Sequence, residues 1–229
     1  MRRFWKDIAV EETAHGHALR LDGRLVRTPG RAELALPTPQ LAAAIAGEWH
    51  AVAETIDPRA MPLTGLANAA IDRVAPDRAR FAASLAAYGE SDLTCYRAAE
   101  PPPLVERQAE HWDPLLDWAR GRYDVHFETV AGVIHKPQPP ATIARLGEAV
   151  GVLDAFHLAG LSPLVTVSGS LLIGLALLEG AVSRDVAWAA ALVDEAWQAE
   201  QWGEDELATL ARESKRGEFD AGARFLGLL

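Results

Sequence analysis

Residues 161–178, LSPLVTVSGSLLIGLALL, carry no charge. Such a run belongs either in a bilayer or in the interior of a helical domain, where other helices cover it on every side. Its length barely reaches a bilayer span, and Pro163, Ser168, Gly169 and Ser170 interrupt it. A buried helix is therefore the expectation, with a membrane-associated module as the alternative. The flanking sequence supports burial. From Ala141 to the end the chain reads helical, punctuated by Gly151, Gly160, Gly180 and Gly203.

The N-terminal part reads differently. Within residues 8–36 the stretches IAVEE, HALRLDG and RLVRTP partly alternate apolar and polar residues, the period of a half-buried strand. Asp22-Gly23 between two of them is a hairpin signal, and a further strand is expected at Leu34–Leu36. At Thr38 the pattern changes to helical: Thr38 can cap, Pro39 suits the first turn, and Leu41, Ala44, Ile45, Trp49 and Val52 recur at helical spacing. Helices are also expected over MPLTGLANAAIDRV and from Asp77 to Gly89. After the proline joint at 101–103, Leu104, Gln108, Trp112, Leu115, Leu116 and Ala119 form one stripe of an amphipathic helix. YDVHFETVAG suits a short strand or turn, and KPQPP is a second joint. The predicted fold is α+β, with a small β-rich domain carrying one helix at 1–57 and a larger all-α domain at 58–229.

Several function classes are excluded at this level. The formal net charge of −10 disfavours nucleic acid and anionic membrane as partners. A single cysteine, Cys95, rules out a disulfide framework and fits a reducing compartment. The opening MRRFWKDIAV has no apolar run behind its arginines and reads neither as a secretory signal nor as a transit peptide. Phosphate-loop, dinucleotide-binding and nucleophile-elbow motifs are absent, as are H-E-x-x-H and C-x-x-C. His15 and His17 are the one close histidine pair, without a third ligand at suitable spacing, so no metal site is expected. Cys95 reads as a small buried hydrophobe. Asp92 and Arg97 lie within reach of a local ion pair, and His111 and Asp113 point apart on their helix.

The stretch DEAWQAEQWG, residues 194–203, is the densest in chemistry. Ser183 reads as a helix cap, Asp185 as a first-turn carboxylate and Gly203 as a terminator, giving one helix of about five turns. At 100° per residue, Trp188, Leu192, Glu195, Gln198 and Trp202 share one stripe, with Asp194, Trp197, Glu200 and Gln201 on other faces. A carboxylate within an aromatic stripe is costly unless it is paired or solvated. Glu195 can thus be paired inside the domain, can meet an arginine or amide of a protein partner, or can act as a general acid. The last reading needs a second group, such as His135 or His157, and a closed pocket.

Several blocks resemble one family. RFWKDIAV (3–10), LDGRLVRTP (21–29), LALPTPQLAAAIAGEW (34–49), IDPRAMPLTGLANAAID (56–72), SDLTCYRA (91–98) and ERQAEHWDPLLDWA (106–119) are similar to the ATP synthase assembly chaperones that handle the alpha subunit of the catalytic head. The pattern of Glu195, Gln198, Trp202 and Gly203 fits as well. The resemblance implies a chaperone and not an enzyme, with no catalytic residue, cofactor or metal. It implies an N-terminal β domain and a C-terminal helical domain, and binding of free alpha subunit by a chain that is itself a monomer and is displaced by the beta subunit. With the net charge, no nucleic-acid partner and no stable membrane insertion are expected, and the absence of a targeting segment suggests a bacterial cytoplasmic setting, with relatives in the mitochondrial matrix. The family's functional acidic residue maps to Glu195, next to Asp194, and the partner-binding residues implied are Glu195, Asp194, Gln198, Trp202 and Trp197. Trp197 stands where relatives carry tyrosine or another aromatic, which keeps the ring and loses any hydroxyl contact.

Overall fold

The two-residue turn at Asp22-Gly23 forms with both φ angles positive, 47° and 78°, as the tight hairpin geometry requires. In the computed structural model, which describes residues 2–132 and 134–229, β1 (Ile8–Thr13) pairs antiparallel with β2 (Gly16–Leu21). β2 also pairs with the short strands β3 (Arg24–Leu25) and β4 (Ala35–Leu36). Gly16 has φ +119°, and a Cβ there would lie 2.4 Å from the Leu36 carbonyl oxygen, so this crossing of β2 and β4 accepts glycine alone. The Asp22 carboxylate accepts the N–H groups of Lys6 and Asp7, and these bonds hold its pKa below the ordinary value.

Thr38 caps α1 (Pro39–Ala51) through a bond from Leu41 N. The α1 residue Glu48 caps the next helix, α2 (Pro62–Ala69), by accepting from Leu63 N, Thr64 N and Thr64 Oγ1. This supplies the cap that Met61 cannot. A π-helical turn at Ala70–Val74 follows, and within it Asp72 accepts from Thr28 Oγ1 and Gly30 N. The quoted sequence blocks around these residues are therefore tied to one another by polar contacts. Leu19, Leu34, Leu36, Leu41, Ile45 and Leu63 close the core, joined by Phe225, on which Phe156 stacks.

The chain forms two compact units. The first comprises Met1–Arg78 together with Asp154–Gly160 and Arg224–Leu229, so the 57/58 junction falls within it. The second comprises Ala79–Leu153 and Leu161–Ala223. The elements that follow α2 are α3 (Arg78–Ala86), β5 (Tyr96–Arg97), α4 (Pro102–Tyr123), β6 (Val130–Ala131), α5 (Pro140–Gly151), α6 (Ala155–Ser168), α7 (Leu171–Leu178), α8 (Arg184–Ala191), α9 (Val193–Trp202) and α10 (Glu206–Leu226). A small β region followed by a mainly helical remainder makes this an α+β fold. Of the short strand or turn expected within YDVHFETVAG, Val130–Ala131 forms a strand that pairs in parallel with β5.

The stripe predicted on α4 is buried at Gln108, Trp112, Leu115, Leu116 and Ala119, and α4 packs against α7, α8 and α9. The uncharged run 161–178 is buried as two helices and not as one. Gly169 turns the chain with φ +69°, and Ser170 restarts the helix by accepting from Ile173 N. Among the described residues, no helix is long and apolar enough to cross a membrane. Asp92 does not pair with Arg97. It lies buried at the start of α7, accepting from Leu172 N, Ser170 Oγ and both the N–H and hydroxyl of Thr94. Arg97 instead reaches Asp113 of α4 at 2.7 Å.

Candidate functional site

The residues 184–202 make two helices where periodicity predicts one. Trp112 Nε1 donates to the Ala190 carbonyl oxygen at 2.8 Å, using an acceptor that a continuous helix would offer to residue 194. Leu192 leaves helical geometry with φ −111° and ψ 11°, and its N–H turns to Ala189 O. Ser183 caps α8 and Asp185 occupies its first turn, as expected. α9 then starts afresh at Val193, its only buried residue, and ends at Gly203 with φ +86°.

The predicted stripe nonetheless faces one helix, α10 (Glu206–Leu226), on both sides of the break. Trp188 packs on Phe219 and has the Arg216 guanidinium over its ring. Glu195, Gln198 and Trp202 remain on one face of α9, as spacing of three and four residues demands. With Ala199 they line a groove of about 370 Å³ whose far wall is Ala208, Ala211, Arg212 and Lys215 of α10. Glu195 is not enclosed by aromatic rings. Its side chain is 47% exposed and pairs with Lys215 Nζ at 2.8 Å, while Arg212 reaches Glu204 at 3.0 Å along the same groove.

The opposite flank of α9 lines a second groove of about 600 Å³. Asp194, Trp197 and Gln201 face it, across from Tyr96, Ala98, Pro101 and Leu104, and Gln198 and Trp202 border both grooves. Asp194 accepts from Gln108 Nε2 at 2.7 Å, and Gln108 Oε1 in turn accepts from Ala98 N. This buried amide thereby fixes α9 to α4 and to the end of β5. The Arg107 guanidinium lies 5.1 Å from the centre of the Trp197 ring and grips Glu200 with two bonds of 2.8 and 2.9 Å. Arg107 holds the Glu200 carboxyl below the ordinary carboxylate range.

All five residues singled out in the sequence thus lie on one ridge between two open grooves, with Trp202 79% exposed at its end. His135 and His157 line neither groove: His135 Nδ1 lies 2.8 Å from the Tyr96 hydroxyl, and His157 pairs with Asp154. Among the described residues no cluster of three or more His, Cys, Asp or Glu could hold a metal. Gln108 was legible as a polar break in an apolar stripe. Arg107, Arg212 and Lys215 carried no signal, because their partners stand from 8 to 93 residues away in sequence.

Residues 2–120 match the family model described as ATP12 chaperone protein. The chain belongs to the ATP12 chaperone family. This is the ATP synthase assembly-chaperone family that its sequence blocks resemble, a family of chaperones and not of enzymes. The chain is 25% identical to mitochondrial protein atp12 of Schizosaccharomyces pombe over 88% of its own length and 74% of that protein. It is similar to the crystal structure of Atp12 from Paracoccus denitrificans, with 46% identity, a TM-score of 0.95, and coverage of 99% of this chain and 97% of that one. A mutant of the same P. denitrificans protein matches at 45% identity with the same TM-score and coverage. The ridge at 194–202 lies beyond the part matched by the family model and within the part covered by the ATP12 structures.

Proposed function

We propose that this ATP12-family chaperone binds the free alpha subunit of the ATP synthase catalytic head through the α9 ridge, shields its subunit-contact surface and yields it to the beta subunit. The observation that carries the reading is the ridge itself. Trp202 stands exposed between two grooves, and Glu195, Asp194, Gln198 and Trp197 line their walls. A large exposed ring with polar groups around it suits protein contact, and open grooves suit a partner that must leave again. An unassembled alpha subunit exposes surface that its neighbours later cover, which invites aggregation until something covers it. Displacement needs only that beta subunit compete for that surface, so no nucleotide hydrolysis by the chaperone is required. The setting that fits is the bacterial cytoplasm, with the chaperone monomeric before binding.

Mixing the purified chain with purified alpha subunit at micromolar concentration tests this. A complex is expected, it should dissociate as beta subunit is added, and Glu195→Ala and Glu195→Lys should weaken it with circular dichroism unchanged. Absence of any complex with the native chain would overturn the reading.

A further inference from the structure

Charge is distributed unevenly along the chain. The first unit holds equal numbers of acidic and basic residues, whereas the second holds 21 of the 32 acids and 11 of the 22 bases, so the whole formal charge of −10 resides there. Residues 193–218, which form α9, the turn after it and the first half of α10, contain eight of those acids and three of those bases. From Glu206 to Lys215 no residue of α10 is buried, and Leu207 and Leu210 are exposed on it. The α9/α10 groove therefore has an apolar lining of Ala199, Trp202, Ala208 and Ala211 under an acidic rim, with Lys215 and Arg212 neutralising Glu195 and Glu204 from the facing helix.

We propose that Lys215 is an internal stand-in for a cation of the bound partner. This rests on the reading of α9 as the partner-binding surface. The occupant is a segment of the alpha subunit that carries an arginine or lysine beside a large apolar side chain. The apolar group lies against Trp202 and the alanines, and the cation takes Glu195 from Lys215. Both ends of the Glu195–Lys215 pair are about half exposed, at 47% and 46%. Exposed pairs contribute little to stability, so this one exchanges readily. An arginine gains from the exchange because it binds a carboxylate with two parallel bonds where lysine offers a point charge. The surrounding negative field favours a cationic segment before contact is made. Until a partner arrives, Lys215 covers the carboxylate and lowers its appetite for other cations.

The test titrates purified alpha subunit into the native chain, Lys215→Gln, Glu195→Gln and the double variant, at low and moderate salt. Thermal unfolding shows whether each variant retains its fold. Lys215→Gln is expected to bind about two- to fivefold tighter, the range that release of an exposed pair allows. Glu195→Gln should bind more weakly, and the gain from Lys215→Gln should vanish in the double variant. Added salt should weaken the native complex. Unchanged or weaker binding by Lys215→Gln, with the native chain still binding, overturns the stand-in and leaves the ridge as the binding surface. No binding by the native chain removes both.

Discussion

Trp112 and Ala190 are joined by a 2.8 Å hydrogen bond from a fully buried indole to a helix carbonyl. That bond marks where α8 ends, with Leu192 alone between α8 and α9 and one flank of α9 on each groove.

Trp112→Phe should cost the chain about 2–3 kcal/mol. The Ala190 oxygen would be buried without its donor, and the smaller ring would leave a gap among Leu115, Leu116 and their neighbours. Urea unfolding followed by circular dichroism measures this. A loss below about 0.5 kcal/mol would show that the bond has little part in setting the break.

Asp92 is expected to make stability depend on pH. Burial raises its carboxyl pKa above the ordinary value of 3.8, against the opposing pull of the donors from Ser170, Leu172 and Thr94. The folded group keeps its proton to a higher pH than the unfolded one. Its contribution is therefore complete below about pH 4 and is lost as pH rises through the folded pKa. Asp92→Asn does not titrate, so the pH dependence that Asp92 contributes should be absent from it. The gap in unfolding free energy between native chain and variant should be widest near pH 4 and narrow toward neutrality. A gap that widens with pH would reverse the sign assigned here.

Cys95 should resist alkylation in the native chain. Burial pushes its thiol up to about 12, so the reactive thiolate is scarce at pH 8, and the side chain is almost wholly enclosed. Iodoacetamide with mass spectrometry should find no modification without denaturant and complete modification in urea. Since Asp92 caps the turn that carries Cys95, Asp92→Asn should speed the reaction. Rapid modification of the native chain would show that this turn opens without global unfolding.

Local signals carried far in this chain. The Asp22-Gly23 hairpin, the caps at Thr38 and Ser183, the α4 stripe and the stop at Gly203 each rest on contacts within a few residues, where backbone geometry and side-chain period are enough. Pairing did not follow from proximity. Asp92 and Arg97 are near in sequence, yet Asp92 goes to α7 and Arg97 to Asp113. Glu195 reads as a carboxylate in an aromatic stripe; the stripe does face α10, where Trp188 meets Phe219 and Arg216, but Glu195 is half exposed there and is paired with Lys215.

By itself the sequence determined the order of elements, the two-part α+β character, the burial of 161–178 and the residues that α9 would carry. These follow from periodicity and caps, which act over one or two turns. Tertiary structure alone decided that the helix at 184–202 divides and that Glu195 meets Lys215 at a half-exposed groove. Each depends on a group from a distant segment competing for a helix carbonyl, an N–H or a charge, and no local pattern encodes which segment arrives.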